Sequence, residues 1–211
     1  MSEKRAVALV VFLMAALAAW GTFYFRATYS HAKRLKVVEP GRFYRSGQLT
    51  ADGFADAVRR FGIRTVINVQ EDYPDPDVWH NYTDRSTVKE SEVCKRLGVR
   101  YVWMSCDLVH QSQVDHARPL VIDQLLELLD RDDVYPVLVH CKAGLHRTGL
   151  LSAIYRMEYQ GWSRLAAFRE LRAHGFGDWV STSANIYVDQ YLMRYQPRPR
   201  RTGLAARGRA D

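Results

Sequence analysis

Along the chain, apolar and polar positions change rhythm several times. Ala6 to Phe25, "AVALVVFLMAALAAWGTFYF", is one uncharged apolar run, long enough to cross a bilayer as a helix. The pattern then breaks into short units. Lys36–Val38 and Arg42–Tyr44 alternate around Pro40-Gly41, which predicts strand, turn and strand. Thr50 stands as the N-cap of a helix whose Phe54, Ala57, Val58 and Phe61 share one face, and Gly62 ends it. "RTVINVQ", Arg64 to Gln70, is a β-branched run of the kind found in buried strands. "EDYPDPDVWHNYTD" follows, and its two prolines predict a loop without regular structure. Ser86 to Leu97 reads as a helix stopped by Gly98, and Val99 to Met104 as a strand. Val114 to Leu129 has a strong helical period, and "PVLVH" before Cys141 is the fourth core strand. Helices are predicted over about Arg147–Gln160, Ser163–His174 and Ser183–Tyr195.

Strands alternating with helices predict an α/β fold: a central, mostly parallel sheet of four to five strands flanked by helices, preceded by one transmembrane helix. Ligands of such sheets sit at the carboxyl ends of the strands. The composition agrees, since 47% apolar and 12% aromatic residues in 211 can bury a core.

Charge changes the picture at the two ends. Lys4 and Arg5 precede the apolar run and Arg26 follows it. The run outlasts a signal-peptide core and closes on Trp20, Phe23, Tyr24 and Phe25, residues suited to a membrane interface. The reading is an uncleaved single-pass anchor, with a cleaved signal as its rival. Lys4 and Arg5 oppose Arg26, Lys33, Arg34 and Lys36, so the side of the membrane holding the domain stays open. At the other end, Arg194, Arg198, Arg200, Arg201, Arg207 and Arg209 face only Asp211, with Pro197 and Pro199 among them. This is read as a solvated basic tail, and no nucleic-acid partner is expected. The organisation is therefore an anchor over 1–27, a catalytic domain over 28–196 and a disordered basic tail over 197–211. Cys94, Cys106 and Cys141 are an odd number without a CxxC spacing, which implies neither a disulfide framework nor a zinc site.

The chemistry concentrates in "VLVHCKAGLHRTGLLSAIYRM". Cys141 falls at the carboxyl edge of the sheet, and "CKAGLHR" leads into a helix at Arg147. Such a loop can turn successive backbone N–H groups inward as an anion-binding nest, and the helix start adds its unpaired donors. Arg147 can hold two phosphate oxygens with its planar fork, which a lysine could not. Thr148 can donate its hydroxyl to a thiolate, and Gly144 gives the backbone room to turn. These types at this spacing point to a cysteine nucleophile attacking a bound phosphoryl group. The competing readings are a core cysteine, a sulfurtransferase of the rhodanese type and a non-catalytic phosphate-binding module.

The run His140-Cys141-Lys142-Ala143-Gly144-Leu145-His146-Arg147-Thr148-Gly149 fits HCxxGxxR[ST]G and resembles the cysteine-based protein-tyrosine phosphatase superfamily. The resemblance covers about Val37 to Tyr195. "FYRSGQLT", "INVQ" and "LGVRYVWMS" are similar to the compact bacterial dual-specificity-like branch and to atypical plant and fungal enzymes that act on inositol pyrophosphates. It implies hydrolysis of phosphotyrosine, phosphoserine or phosphothreonine of proteins through a phosphocysteine on Cys141, with no metal or cofactor. The alternative substrates it implies are inositol polyphosphates, inositol pyrophosphates and phosphoinositides. Arg147 and the amides of Lys142, Ala143, Gly144, Leu145 and His146 would bind the transferring group. His140, Thr148 and Arg45 would support the loop, Arg45 either bracing its edge or forming a surface salt bridge. The general acid would be Asp107; Asp115, better placed as a helix cap, and no protein acid at all are the alternatives. Lys142 and His146 would add charge for further phosphates, unless Lys142 faces solvent and His146 only bonds the loop. Tyr73 or Trp79 could wall a phosphotyrosine pocket, and Cys94 or Cys106 could protect Cys141 as a reversible disulfide.

Overall fold

A computed structural model describes residues 3–29, 31–71, 73–106, 119–177 and 188–199. Helix α1 (Glu3–Tyr29) comes first, then strands β1 (Lys36–Glu39) and β2 (Phe43–Gly47), helix α2 (Ala51–Phe61) and strand β3 (Thr65–Asn68). Strands β4 (Asp77–Trp79) and β5 (Thr87–Lys89) precede helix α3 (Glu90–Leu97) and strand β6 (Arg100–Trp103). Helix α4 (Leu120–Leu129), a short 3-10 turn (Asp132–Val134), strand β7 (Val137–Cys141) and helices α5 (Arg147–Tyr159), α6 (Arg164–Ala173) and α7 (Val188–Arg194) complete the described chain.

The main sheet has the order β1-β2-β7-β3-β6. Only β1 runs antiparallel to its neighbour, across the predicted Pro40-Gly41 turn, and β2, β7, β3 and β6 are parallel. Each parallel crossover carries a helix to a face of the sheet, so the central strands are covered on both sides. Every residue of β2, β3 and β7 is buried. On one face α2 and α3 pack Phe54, Ala57, Val93 and Cys94 onto Tyr44, Val66 and Leu138. On the other, α4, α5, α6 and α7 pack Leu125, Leu150, Ile154, Leu171 and Leu192 around Phe43, Ile67 and Val139. Each such aliphatic side chain contributes about 1.5–3 kcal/mol of burial free energy. Helix α5 is buried from Thr148 through Tyr155, so it is the core helix, and its amino end is fixed under the sheet edge.

Local signals behave as their chemistry requires. Thr50 Oγ1 accepts from the Gly53 N–H at 3.1 Å, and Gly62 closes α2 in the left-handed conformation at φ 64°. Four expectations need correction. The segment after β3 is not free of regular structure: β4 and β5 pair as a small hairpin, Val78 opposite Val88, with Lys89 bonded to Asp77. Pro74 and Pro76 lie ahead of that strand, where a missing N–H costs no ladder bond. The next helix consequently starts at Glu90, not Ser86. Helix α4 begins at Leu120 directly behind Pro119, a residue that a helix from Val114 would have placed in its interior; 114–118 are outside the described residues. Finally, Arg198, counted with the basic tail, is held on the domain by Asp130 at 2.8 Å and Glu158 at 3.0 Å.

Candidate active site

Strand β7 delivers Cys141 to the carboxyl edge, where it pairs in register with Gly47 of β2. Six residues later the chain enters α5 at Arg147. Three successive carbonyls of the intervening loop are tied down on one side. Lys142 O accepts from the Gln48 N–H at 3.3 Å, Ala143 O from Arg34 Nη1 at 3.1 Å, and Gly144 O from Arg45 Nη2 at 2.9 Å. In a planar trans peptide the N–H points opposite to the carbonyl. Fixing these carbonyls therefore turns the amides of Ala143, Gly144 and Leu145 the other way, and the Gly144 N–H meets Cys141 Sγ at 3.3 Å. That is an anion-binding nest around a buried thiol.

Gly144 is required on two counts. Its φ is +74°, and a Cβ there would lie 2.5 Å from Gly47 N and 2.7 Å from Ser46 C. Arg45 is not a surface residue: it is 2% exposed, and burial pulls its guanidinium down to about 10 against the opposing pull of Glu170 and Cys141. It braces the loop from beneath.

At the helix start, Arg147 is half-exposed and gives Nη2 to Glu71 Oε2 at 2.5 Å. Thr148 is completely buried, and its Oγ1 has no partner among the described residues. His140 faces the α2–α3 side, bonded through Nε2 to Glu90 Oε1 at 2.6 Å, with Phe54 edge-on at 5.6 Å. Both members of that pair are wholly buried.

His146 packs edge-on to Phe176 at 5.7 Å, and its Nε2 lacks a partner among the described residues. Burial first, then Arg147 and Arg34, hold its imidazole below the usual value, which favours the neutral ring. It neither adds charge to the loop near neutral pH nor bonds the loop through Nε2. Lys142 is exposed, with Nζ 5.7 Å from the centre of the Tyr73 ring. Trp79 instead stacks with Arg85, 5.1 Å from its ring centre. Cys94 lies in the core on the α2–α3 face, its thiol pushed up to about 12 by burial and then by Glu90 and Asp75. Cys106 shares the opposite core with Cys141. Asp107 and Asp115 fall outside the described residues.

The fold thus brings together Cys141, the loop amides, Arg147, Thr148, Arg45 and Lys142. It adds four residues that sequence reasoning passed over. In the sequence, Lys33 and Arg34 stand as membrane-flanking charges, Glu71 as a loop acid and Glu90 as a helix residue. None carries a local motif; each is identified by what the tertiary fold sets beside it. Among the described residues no group of three His, Cys, Asp or Glu side chains could hold a metal. The arrangement can bind a tetrahedral oxyanion on amides and one guanidinium, with a sulfur nucleophile beneath it.

A model of the tyrosine phosphatase family matches residues 32–198. The dual specificity protein phosphatase TpbA of Pseudomonas aeruginosa is 45% identical over 69 residues, 33% of this chain and 31% of TpbA, so the match spans about a third of that relative's length. The putative tyrosine-protein phosphatase OCA1 of Mycosarcoma maydis is 32% identical over 130 residues, 62% of this chain and 73% of the relative. The crystal structure of P. aeruginosa TpbA superposes with a TM-score of 0.52 at 26% identity, covering 77% of this chain and 85% of that one. The core catalytic domain of the S. cerevisiae PP-IP phosphatase SIW14 superposes with a TM-score of 0.57 at 19% identity over 77% and 85%, a likeness of fold.

Proposed function

The chain belongs to the tyrosine phosphatase family, and from that premise we propose that it hydrolyses phosphomonoesters through a phosphocysteine on Cys141. The observation carrying the proposal is the row of three tethered carbonyls, which turns the amides of Ala143, Gly144 and Leu145 away from their anchors and sets the Gly144 N–H on the Cys141 thiol, in the loop that ends at Arg147. Cys141 Sγ attacks phosphorus as the bond to the leaving oxygen breaks. The loop amides and Arg147 stabilise the charge on the three remaining oxygens. Water then attacks phosphorus, the P–S bond breaks, and phosphate leaves with the thiolate regenerated. Thr148 Oγ1, buried without a partner among the described residues, is available to bond that departing sulfur. Asp107 is assigned to protonate the leaving alkoxide or phenolate.

The preferred substrate is a phosphorylated protein side chain, in keeping with the names of TpbA and OCA1. Lys142 favours a second reading, an inositol polyphosphate, inositol pyrophosphate or phosphoinositide, because this loop cation has no carboxylate partner among the described residues. Phosphate release from phosphotyrosine and phosphoserine peptides, phosphoinositides, inositol polyphosphates and an inositol pyrophosphate separates the two. Cys141→Ser is expected to abolish turnover of every member; turnover at the parent rate would overturn the mechanism. If peptides lead and Asp107→Asn loses most activity, the protein reading stands. If inositol compounds lead and Asp107→Asn is nearly silent, the second replaces it.

One N-terminal helix, Lys4–Arg26, is long and apolar enough to cross a membrane, and no part of that span is buried in the fold. We assign residues 1–27 as a single-pass anchor, 28–196 as the catalytic domain and 197–211 as a basic tail whose Arg198 is bonded back onto the domain. Retention of the full chain in carbonate-washed membranes, at unchanged length, is the expected result; a shortened soluble product would mean a cleaved signal instead.

A further inference from the structure

The segment between α1 and β1 does more than connect them. His31 Nε2 bonds Asp56 of α2 at 2.6 Å, Lys33 O accepts from the Gly47 N–H at 2.7 Å, and Arg34 bonds Ala143 O. This strap lies against the end of β2 that carries Gly47, the residue paired with Cys141. Glycine is needed there because a Cβ on residue 47 would sit 2.9 Å from Lys33 Cγ and Cδ. The Lys33 stem therefore crosses β2 beside the phosphate loop. Lys33 is partly buried, yet no carboxylate or other acceptor engages its ammonium among the described residues. Burial lowers its proton affinity, Cys141 raises it, and Arg34 and Lys142 lower it again. Unpaired, partly buried ammonium groups are costly, and an anion nearby removes the cost.

We infer that the strap forms one wall of the active-site pocket and that Lys33, beside Lys142, binds a second anionic group of the substrate, a phosphate neighbouring the one attacked. The inference rests on the phosphatase reading for the first phosphate and adds the residue that selects for a second. Tyr29 ends α1 four residues before Lys33, a reach of at most about 14 Å, so the anchor and this wall are closely coupled. The inference deepens the second substrate reading, in which that phosphate belongs either to a soluble polyphosphate or to a lipid headgroup.

The test uses the full chain in detergent micelles carrying Cys141→Ser, so that binding is read without turnover. Calorimetry compares inorganic phosphate with pyrophosphate. The parent background is expected to hold pyrophosphate about tenfold more tightly, with Lys33→Met cutting that preference below about threefold and Lys33→Arg keeping it. Lys33→Met keeps the stem that covers Gly47, and an unchanged urea midpoint confirms its fold. An equal preference in parent and Lys33→Met, or none in the parent, overturns the inference. Soluble inositol bisphosphate and vesicles doped with phosphatidylinositol bisphosphate form the second arm: preference for either over its monophosphate identifies the source, and preference for neither again overturns it. Turnover of 4-nitrophenyl phosphate by the Cys141-intact chain is scored separately. Its absence beside an intact pyrophosphate preference defeats the phosphatase mechanism and leaves the Lys33 subsite standing.

Discussion

Arg147 and Glu71 are joined at 2.5 Å, the first residue of the core helix bonded to the third residue after β3. The bond uses Nη2 and leaves the rest of the planar guanidinium able to meet phosphate oxygens. Glu71 is thus placed to orient the fork. Glu71→Ala is expected to lower kcat/KM about tenfold and to weaken vanadate inhibition similarly, with Glu71→Gln losing less. Steady-state kinetics and vanadate titration check this. A faster enzyme with tighter vanadate binding would mean that Glu71 competes with phosphate instead of positioning Arg147.

The loop's shape depends on a missing side chain. Gly144 combines φ +74° with 2.5 Å between its Cβ position and Gly47 N, a backbone atom that cannot rotate away. Gly144→Ala must move the loop or β2, and either shift disturbs the Arg45 bond to Gly144 O. The expected cost is about 1–3 kcal/mol of stability, read as a lower urea midpoint, and more than tenfold in kcat. Full activity in Gly144→Ala would show that the loop does not need this close approach.

How much of this was legible in the sequence follows from the range of each interaction. Cys141, Gly144 and Arg147 lie within seven residues, so strand end, loop and helix start fix their geometry together, and a linear motif reveals them. Thr50 and Gly62 are equally local, and the cap geometry follows from their chemistry. Arg34 meets Ala143 across 109 residues and Glu90 meets His140 across 50. No periodicity encodes such pairs. The hairpin of β4 and β5 escaped for a related reason: three-residue strands are too short for alternation to show, and two prolines masked them. Lys33 and Arg34 were obscured by their neighbour, because charges beside an apolar helix read as topology signals before anything else.

Glu90 and His140 form a pair without solvent access, and the second polar atom of each, Oε2 and Nδ1, has no partner among the described residues. Removing one member strands the other in an apolar setting beside Phe54 and Leu138. Glu90→Ala or His140→Ala is each expected to destabilise the fold by about 3–5 kcal/mol. Because both single changes break the same bond, the double variant should cost well under their sum. Urea unfolding of the four proteins measures the coupling. Strict additivity would mean that the pair, despite its 2.6 Å separation, contributes nothing jointly.

His146 makes stability depend on pH in a definite direction. Burial, then Arg147 and Arg34, place its folded value below the ordinary one, so the unfolded chain takes up the proton more readily. The stability it contributes is present above the unfolded value of about 6.5 and is lost as the pH falls through the folded one. Lowering the pH from about 7.5 to about 5.5 should therefore reduce the urea midpoint of the parent more than that of His146→Asn, which cannot charge. The difference between the two proteins isolates this ring from the other titrating groups. Parallel pH profiles would mean that protonating His146 beside Arg147 costs nothing, and that the ring turns to solvent when charged. A parent that gains stability on acidification relative to His146→Asn would place an unrecognised acidic partner against the imidazole.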